Sequence, residues 1–218
     1  MEFSYLLIVF VALICFLLYR ALHKRDDAGK EGERIVRKLL CKLPRKKYRL
    51  LNDIMLKTHG GNISMTQIDH VVISVYGIFV VETKNYKGWI FGSEKSAHWQ
   101  QNIYGHRYQS VNPVRQNYGH ILALAYVLEQ DGWNNVPLYS VVAYSDNADL
   151  HVTTTKSEVV NFSQLLAAIK QMSCDECMTL QQVKEIRQLF KKKDINSFWH
   201  RYKHKREIKK MLNSSLSR

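Results

Sequence analysis

Apolar residues fill the start of the chain and set it apart from the rest. Residues 3–19 are apolar except for Ser4, and seventeen residues is the short end of what crosses a bilayer as a helix. No small-residue cleavage site follows, which argues against a signal peptide. Basic residues close the run and favour the cytoplasmic side of a membrane, namely Arg20, Lys24 and Arg25. The pattern predicts a single-pass anchor in the cell membrane, with the N-terminus outside and the rest of the chain in the cytoplasm.

A different periodicity begins after the basic residues. Residues 28–42 carry apolar side chains at the three-to-four residue spacing of a helix, and Pro44 ends the pattern. Gly29 and Gly32 lie in the first turns of this helix, where glycine costs helix stability. We therefore expect both glycines to permit a close approach to a neighbouring strand.

Runs that are rich in β-branched and aromatic residues predict strands in the middle of the chain, at 48–56, 67–75, 78–84, 88–92 and 138–144. Tyr76-Gly77 separates two of these runs and predicts a tight hairpin. Helical patterns occupy the remaining segments, at 112–129, 162–172, 180–192 and 197–212. The order α-β-β-β-α-β followed by helices predicts a compact α/β domain with a mixed central sheet.

The net charge of +13 is concentrated at the two ends of this domain. Residues 20–47 hold eleven Lys/Arg against four Asp/Glu, and residues 187–218 hold eleven against two. The body between them, residues 48–186, has a net charge of −2. Basic flanks are typical of contact with either nucleic acid or anionic lipid, and both alternatives stay open.

The candidate catalytic residues lie on the predicted hairpin. If Tyr76 and Gly77 form its turn, Asp69 pairs with Lys84 and Val71 pairs with Glu82. Residues that lie opposite each other, or two apart along a strand, share one face. Asp69, Glu82 and Lys84 are therefore predicted to project from the same side of the sheet.

Two carboxylates and an ammonium group close together favour a cation site. Like charges raise each other's pKa unless a cation neutralises them, and carboxylate oxygens suit Mg²⁺ or Mn²⁺. A metal held by Asp69 and Glu82 would activate a phosphodiester, with Lys84 balancing the charge that develops. The alternative is an exposed cross-strand ion pair with no ligand, since acid-x-Lys triplets are common.

The order and spacing of several motifs resemble the NERD (nuclease-related) domain, a family within the PD-(D/E)xK nuclease superfamily. The resemblance covers residues 28–145 and rests on five segments, namely Gly29-Lys30-Glu31-Gly32-Glu33, Gln67-Ile68-Asp69-His70, residues 76–86 with Gly88, Trp99, and Asn112-Pro113-x-x-Gln116. It implies a restriction-endonuclease-like αβββαβ core with a mixed central sheet.

The resemblance also implies roles for individual residues. Glu33 matches the acid of the first core helix, and Asp69, Glu82 and Lys84 match the catalytic triplet. Gln116 matches the polar residue on the helix that follows the sheet. The resemblance thus implies a nuclease that depends on Mg²⁺ or Mn²⁺, with Asp69 and Glu82 as metal ligands and nucleic acid as substrate.

Other side chains leave alternatives. His70 alternates to the opposite face from Asp69 and is interpreted as a structural histidine. Trp99, Tyr104, Arg107 and Tyr108 either contact nucleic acid or cover a hydrophobic edge.

Together these patterns divide the chain into a transmembrane anchor (1–20), a basic juxtamembrane linker (21–27), a nuclease-like core (28–145), a helical part (146–195) and a basic tail (196–218). Two functions are compatible with this organisation. The first is a membrane-anchored, metal-dependent nuclease. The second is a non-catalytic nucleic-acid-binding or scaffold module that uses the same fold, because a fold does not fix a function.

Overall fold

The predicted anchor lies almost wholly outside the part of the chain that the structure describes. The computed structural model describes residues 13–14, 27–59 and 63–216. Within these ranges no helix is both long enough and apolar enough to cross a membrane. Of the run at residues 3–19, only Leu13 and Ile14 fall inside the described part, and the anchor therefore stays a prediction.

Strands form most of the first half of the described chain, and helices form most of its end. The first half contains α1 (27–40), β1 (Tyr48–Lys57), β2 (Met65–Ser74), β3 (Gly77–Lys84), β4 (Gly88–Ser93), β5 (His98–Ile103) and β6 (His106–Val111). The second half contains α2 (Pro113–Gln130), β7 (Leu138–Tyr144), β8 (Ala148–Thr153), β9 (Ser157–Asn161), a short 3₁₀ turn (Phe162–Gln164), α3 (Leu165–Met172), α4 (Leu180–Lys193) and α5 (Phe198–Leu216).

The central sheet is mixed, as the sequence predicts. Its five strands lie in the order β1-β2-β3-β7-β9. Strands β1, β2 and β3 pair antiparallel, whereas β3, β7 and β9 pair parallel. The expected mixed α/β architecture is confirmed at this level.

A second sheet, in the order β6-β5-β4-β8, was not predicted beyond its strand β4. Strands β5 and β6 have the sequences HWQQNI and HRYQSV, which lack an apolar alternation. Their strand state depends on the pairing of β5 with β4 and of β6 with β5, and not on a hydrophobic pattern of their own. Among the described residues only one face of this sheet is covered, where its Ile90 and Trp99 pack against Tyr144 of β7.

Two hydrophobic cores cover the two faces of the central sheet. On one face, α2 and α4 pack against residues of β1, β2 and β3, with Ile78 and Val80 among the fully buried side chains. On the other face, α1 and α3 pack around Phe79 and Val81. Because consecutive β3 residues enter opposite cores, this strand is buried on both sides.

Helix α1 approaches the end of β3 through one of its two glycines. A Cβ at Gly32 would lie 2.6 Å from Cβ of Asn85, so a side chain there would collide with the neighbouring segment. The side chain of Asn85 also donates to the Ala28 carbonyl at 2.7 Å. The close approach predicted at Gly32 is confirmed, but the one predicted at Gly29 is wrong, since nothing lies within 4 Å of a Cβ built there.

Candidate functional site

The β2–β3 hairpin has a different register from the predicted one. Ile73 pairs with Ile78 and Ser74 pairs with Gly77, so the turn residues are Val75 and Tyr76. The expected pairs Asp69–Lys84 and Val71–Glu82 are wrong by two residues. The Ser74 hydroxyl closes the turn, since its oxygen accepts from the Tyr76 amide at 3.2 Å and it donates to the Gly77 carbonyl at 2.9 Å.

The shift keeps the predicted acids together. An even shift leaves the alternation of strand sides unchanged. The pairing itself ends at His70–Val81, one residue short of Asp69 and Glu82, and the charge of Glu82 contributes, after burial, to the raised pKa of Asp69. The carboxylate of Asp69 then reaches across to β3, where the Thr83 amide donates to its Oδ2 at 2.9 Å.

Glu82 is the centre of a buried hydrogen-bond network. Glu82 is only 2% exposed. Its Oε1 atom accepts a hydrogen bond from Lys84 Nζ at 2.7 Å and another from Gln116 Nε2 at 2.8 Å. Lys84 Nζ also donates to Gln116 Oε1 at 3.0 Å. The three side chains therefore form a closed triangle in which each member contacts the other two.

The charges in this triangle stabilise one another. Burial alone would raise the pKa of Glu82, but Lys84 and His120 outweigh it and hold that pKa well below its usual range. Burial would likewise lower the pKa of Lys84, and Glu82 raises it above its ordinary value instead. Glu82 is thus a carboxylate and Lys84 an ammonium ion at neutral pH.

Asp69 and Glu33 have the opposite electrostatic character. Burial, followed by the charges of Glu82 and Glu33, raises the pKa of Asp69 well above its ordinary value. Burial, followed by the charges of Asp53 and Glu82, raises the pKa of Glu33. The predicted site residues are therefore brought together, with three carboxyl groups in a common field and one ammonium group among them.

Helix α2 supplies the polar groups that face Glu82, and its N-terminus is fixed by Asn112. The Asn112 side chain accepts from the amides of Val114 and Arg115 and donates to three carbonyls of the turn after β4, including Ser96 at 2.7 Å. Pro113 is favoured at the first helical position because proline has no amide hydrogen, and an amide hydrogen there would have no partner within the helix. Gln116 follows one turn later and meets β3.

His120 is a site residue that the sequence reasoning missed. Its Nε2 lies 3.1 Å from Glu82 Oε2 and its Nδ1 lies 2.7 Å from Thr66 Oγ1. An ionised carboxylate only accepts, so Nε2 carries the proton of the first contact. Both oxygens of Glu82 thus have donors, from β3 on one side and α2 on the other.

A sequence signal for His120 existed. It lies four residues after Gln116, so both side chains are on the same face of α2. The apolar side chain of Leu122 on the same helix is 52% exposed, so apolar residues alone do not mark the buried face. The buried stripe contains the polar residues Asn117 and His120, and Asn117 donates to the carbonyls of Val80 and Val141.

His70 is confirmed as a structural residue. It is 2% exposed, and its Nδ1 lies 2.8 Å from Oδ1 of Asn52 on the adjacent strand. Burial lowers the pKa of His70 to about 4, which keeps the ring neutral. Trp99 is also structural, because it is 1% exposed and its indole donates to the Ser93 carbonyl.

The basic tail folds back beside the site. Arg201 of α5 donates to Asp53 Oδ2 at 2.6 Å, and Gln67 donates to Asp53 Oδ1 at 2.7 Å. Further along α5, Glu207 accepts from the amide and hydroxyl of Ser64. This part of the tail therefore contacts the protein's own strands.

The donor set suits a divalent cation, although the described residues hold no ready-made cage. No group of three or more His, Cys, Asp and Glu side chains among residues 13–14, 27–59 and 63–216 is arranged to hold a metal ion. Burial, followed by the charges of neighbouring carboxyl groups, nevertheless raises the pKa values of Asp69 and Glu33. Carboxylate oxygens are the ligands that Mg²⁺ and Mn²⁺ prefer, so the residues fit such an ion.

Comparisons with known proteins agree with this picture. The family model of the nuclease-related domain matches residues 28–145, which extend from α1 to the end of the central strand β7. An uncharacterized protein of Bacillus anthracis is 40% identical over 145 residues, or 65% of this chain. The match covers 66% of that protein, so this chain spans just under two thirds of its curated relative's length. No solved structure shows a significant match.

Proposed function

The chain belongs to the nuclease-related domain family, and on that premise we propose that it is a metal-dependent phosphodiesterase that cleaves DNA or RNA. The observation that carries this proposal is the buried triangle of Glu82, Lys84 and Gln116 beside the carboxyl group of Asp69. The restriction-endonuclease-like core is part of the same proposal. It is supported by the order α1, β1–β3, α2, β7 around a mixed sheet.

Asp69 and Glu82 are the residues that would hold Mg²⁺ or Mn²⁺, with Glu33 as a third carboxyl group in the same field. When bound, such an ion polarises a phosphate oxygen and lowers the pKa of a coordinated water. A cation at this position would also offset the burial and the neighbouring negative charges that raise the pKa of Asp69.

Lys84 has a separate task in this proposal. It stays protonated because its pKa is raised, so it does not serve as a general base at neutral pH. An ammonium group has three donors, and two of them are directed at Glu82 and Gln116. The third can donate to a phosphate oxygen and stabilise the negative charge that grows in the transition state. Gln116 orients Lys84 for this contact.

Cleavage assays with the full-length chain in detergent micelles test the proposal. Labelled single-stranded and double-stranded DNA and RNA are incubated with Mg²⁺ or Mn²⁺, or with EDTA. We expect metal-dependent cleavage that Asp69→Asn lowers at least about 100-fold, since charge stabilisation of a transition state has that magnitude. Glu129→Gln, an exposed acid outside the site, is the matched control and should cleave like the parent.

Two results would count against a nuclease. One is a parent chain that cleaves none of the four substrates, and the other is an Asp69→Asn variant that cleaves as fast as the parent. To exclude contaminating nucleases, the cleavage activity must co-purify with the parent chain and be absent from Asp69→Asn purified in the same way.

A second function is favoured by a specific observation. Both Glu82 oxygens already accept hydrogen bonds, from Lys84, Gln116 and His120. That arrangement also suits a non-catalytic module that binds nucleic acid or a partner and keeps the polar network for stability. Salt-sensitive binding in EDTA that survives Asp69→Asn, without turnover in any metal, would support this alternative.

We also propose that the domain is tethered to the cytoplasmic face of the cell membrane through residues 3–19. The support is the apolar run and the three basic residues that follow it. In this arrangement 21–27 is a linker, 28–145 the nuclease-like core, 146–195 a helical part and 196–218 the basic tail. Membrane fractionation and protease protection of spheroplasts test it. Release of the chain by carbonate, or digestion of the domain from outside, would refute it.

A further inference from the structure

The outer face of the second sheet carries a cluster of exposed rings, which we call the ring cluster: Trp89 and Phe91 on β4 and His151 on β8. Trp89 is 54% exposed and Phe91 is 37% exposed. The Phe91 and His151 rings stack with centroids 4.9 Å apart and planes 17° apart. The Trp89 ring stands edge-on within 6.4 Å of both. Large aromatic surfaces facing water indicate a binding site when they are grouped.

The residues around the ring cluster are polar amides and not aliphatic side chains. The strand register places Asn102 next to Trp89 and Gln100 next to Phe91. One strand further, Arg107 lies beside Asn102 and Gln109 lies beside Gln100. Amide and guanidinium groups donate to and accept from base edges and phosphates. A face built from rings and amides therefore suits a ligand with flat apolar surfaces and polar edges.

Charge on this face favours an anionic ligand. Arg107 contributes a positive charge on this face, and Lys87 contributes a second one at its edge, just before β4, where its Nζ lies 5.8 Å from the centroid of the exposed Tyr104 ring. The one acid at the corresponding register position of β8 is Asp149, whose Oδ2 lies 3.2 Å from His151 Nε2. Cations interleaved with aromatic rings are typical of surfaces that track a phosphate backbone.

The ring cluster is rigidly connected to the candidate nuclease site. Strand β4 begins four residues after Lys84, and β8 begins four residues after Tyr144 of the adjoining strand β7. Two backbone hydrogen bonds tie these connections together, from Ser145 to the Lys84 carbonyl at 3.0 Å and from Gly88 to the Asn147 carbonyl at 2.9 Å. A ligand on this face is thus held at a fixed position relative to Glu82 and Lys84.

We propose that the ring cluster binds single-stranded nucleic acid by stacking unpaired bases on Trp89 and Phe91. The inference rests on the proposed function, and it names the substrate class of that site. In a duplex the base faces are covered by their neighbours, so rings on a flat sheet face have no access to them. Every base has a π-face that can stack on a ring. The surface therefore distinguishes single strands from duplexes more strongly than it distinguishes one base sequence from another.

Binding is measured without cleavage to test this. The full-length chain in detergent micelles and EDTA is titrated against fluorescein-labelled dT12, rU12 and a 12-base-pair DNA duplex, with anisotropy as the readout. Replacement of one stacking ring weakens binding at least about 5-fold, so we expect that loss for single strands in Trp89→Ala and in Phe91→Ala. The DNA and RNA arms show which sugar the surface prefers.

Matched variants separate stacking from folding. Tyr118→Ala removes another exposed aromatic ring, on α2 and 59% exposed, and should bind like the parent. Trp89→Phe keeps a ring and should recover most of the affinity. Ultraviolet cross-linking of the parent to dT12, followed by mass spectrometry, should yield adducts on the peptide that contains residues 88–93.

The proposal is overturned if the duplex competes as well as the single strands, or if Trp89→Ala and Phe91→Ala bind single strands like the parent. Loss of self-association in Trp89→Ala, with unchanged nucleic-acid affinity, would instead identify the face as an interface between copies. The proposed nuclease can fail separately. Ring-dependent binding without cleavage leaves this inference standing, whereas cleavage with ring-independent binding removes it and keeps the nuclease.

Discussion

Neutralising Asp69 should stabilise the metal-free protein while removing its proposed activity. Burial and the charges of Glu82 and Glu33 raise the pKa of Asp69 well above its ordinary value of 3.8. The ionised carboxylate is therefore less stable in the fold than in the unfolded chain. Asp69→Asn keeps the shape and can still accept the hydrogen bond from the Thr83 amide, but it removes the unfavourable charge.

The sign and size follow from linkage between ionisation and folding. Each unit by which the folded pKa exceeds the unfolded pKa costs about 1.4 kcal/mol once the group is ionised. We expect Asp69→Asn to raise the free energy of unfolding at pH 8 by about 1.4 kcal/mol for each unit of that difference, and each such step is about 3–6 °C in Tm for a chain of this size. The gain should shrink as the pH falls through the folded pKa and vanish near 3.8, where the unfolded chain also binds the proton.

Thermal unfolding in EDTA at pH 8 and pH 4.5 measures this effect, with Glu129→Gln as the exposed control that should not change Tm. Addition of Mg²⁺ at pH 8 should raise the Tm of the parent by mass action and leave Asp69→Asn unchanged. The reasoning fails if the variant is no more stable than the parent in EDTA, or if its advantage is the same at both pH values.

Three further predictions concern neighbouring positions. His120→Ala removes the imidazole that orients the buried carboxylate, and cleavage kinetics should show kcat/KM lowered about 10- to 100-fold, an unchanged value being contrary evidence. Gly32→Ala should lower the free energy of unfolding, measured in urea, by about 1–3 kcal/mol through overpacking. Gly29→Ala has open space for its new methyl group and should raise that free energy by up to about 1 kcal/mol. Equal effects of the two substitutions would refute the packing argument. Because burial lowers the pKa of His70 to about 4, stability should be lost as pH falls from about 6.5 towards 4, and an NMR titration midpoint of His70 near 6.5 would contradict this.

Much of the central fold is encoded in local patterns. The alternation in β2 and β3, the helical spacing in α1 and the Asn112-Pro113 start of α2 all depend on residues within one or two turns of each other. Such signals are visible in a sequence because they arise from backbone periodicity and from caps. The proximity of Asp69 to Glu82 belongs to this class, since an even error in register leaves the strand sides unchanged.

The hairpin register itself was decided by distant contacts. The Ile78 amide donates to the Pro137 carbonyl at 2.9 Å, and the Val75 carbonyl accepts from the amides of Cys177 and Met178. A Cβ at Gly77 would lie 2.8 Å from the Pro137 carbonyl oxygen, and its φ of 126° favours glycine. These interactions fix Val75-Tyr76 as the turn. The sequence of the hairpin alone does not predict them, because their partners lie far away along the chain.

Tertiary structure also decided which side chains complete the site and which surface faces water. His120 meets Glu82 across 38 positions of sequence, and Arg201 meets Asp53 across 148. The second sheet exposes Trp89 because its outer face has no covering layer among the described residues. The sequence by itself determined the helices, the strands β1 to β4 and β7, and the acidic hairpin, because periodicity is local. Register, the partners of Glu82 and the exposed rings depend on long-range packing, which no local pattern records.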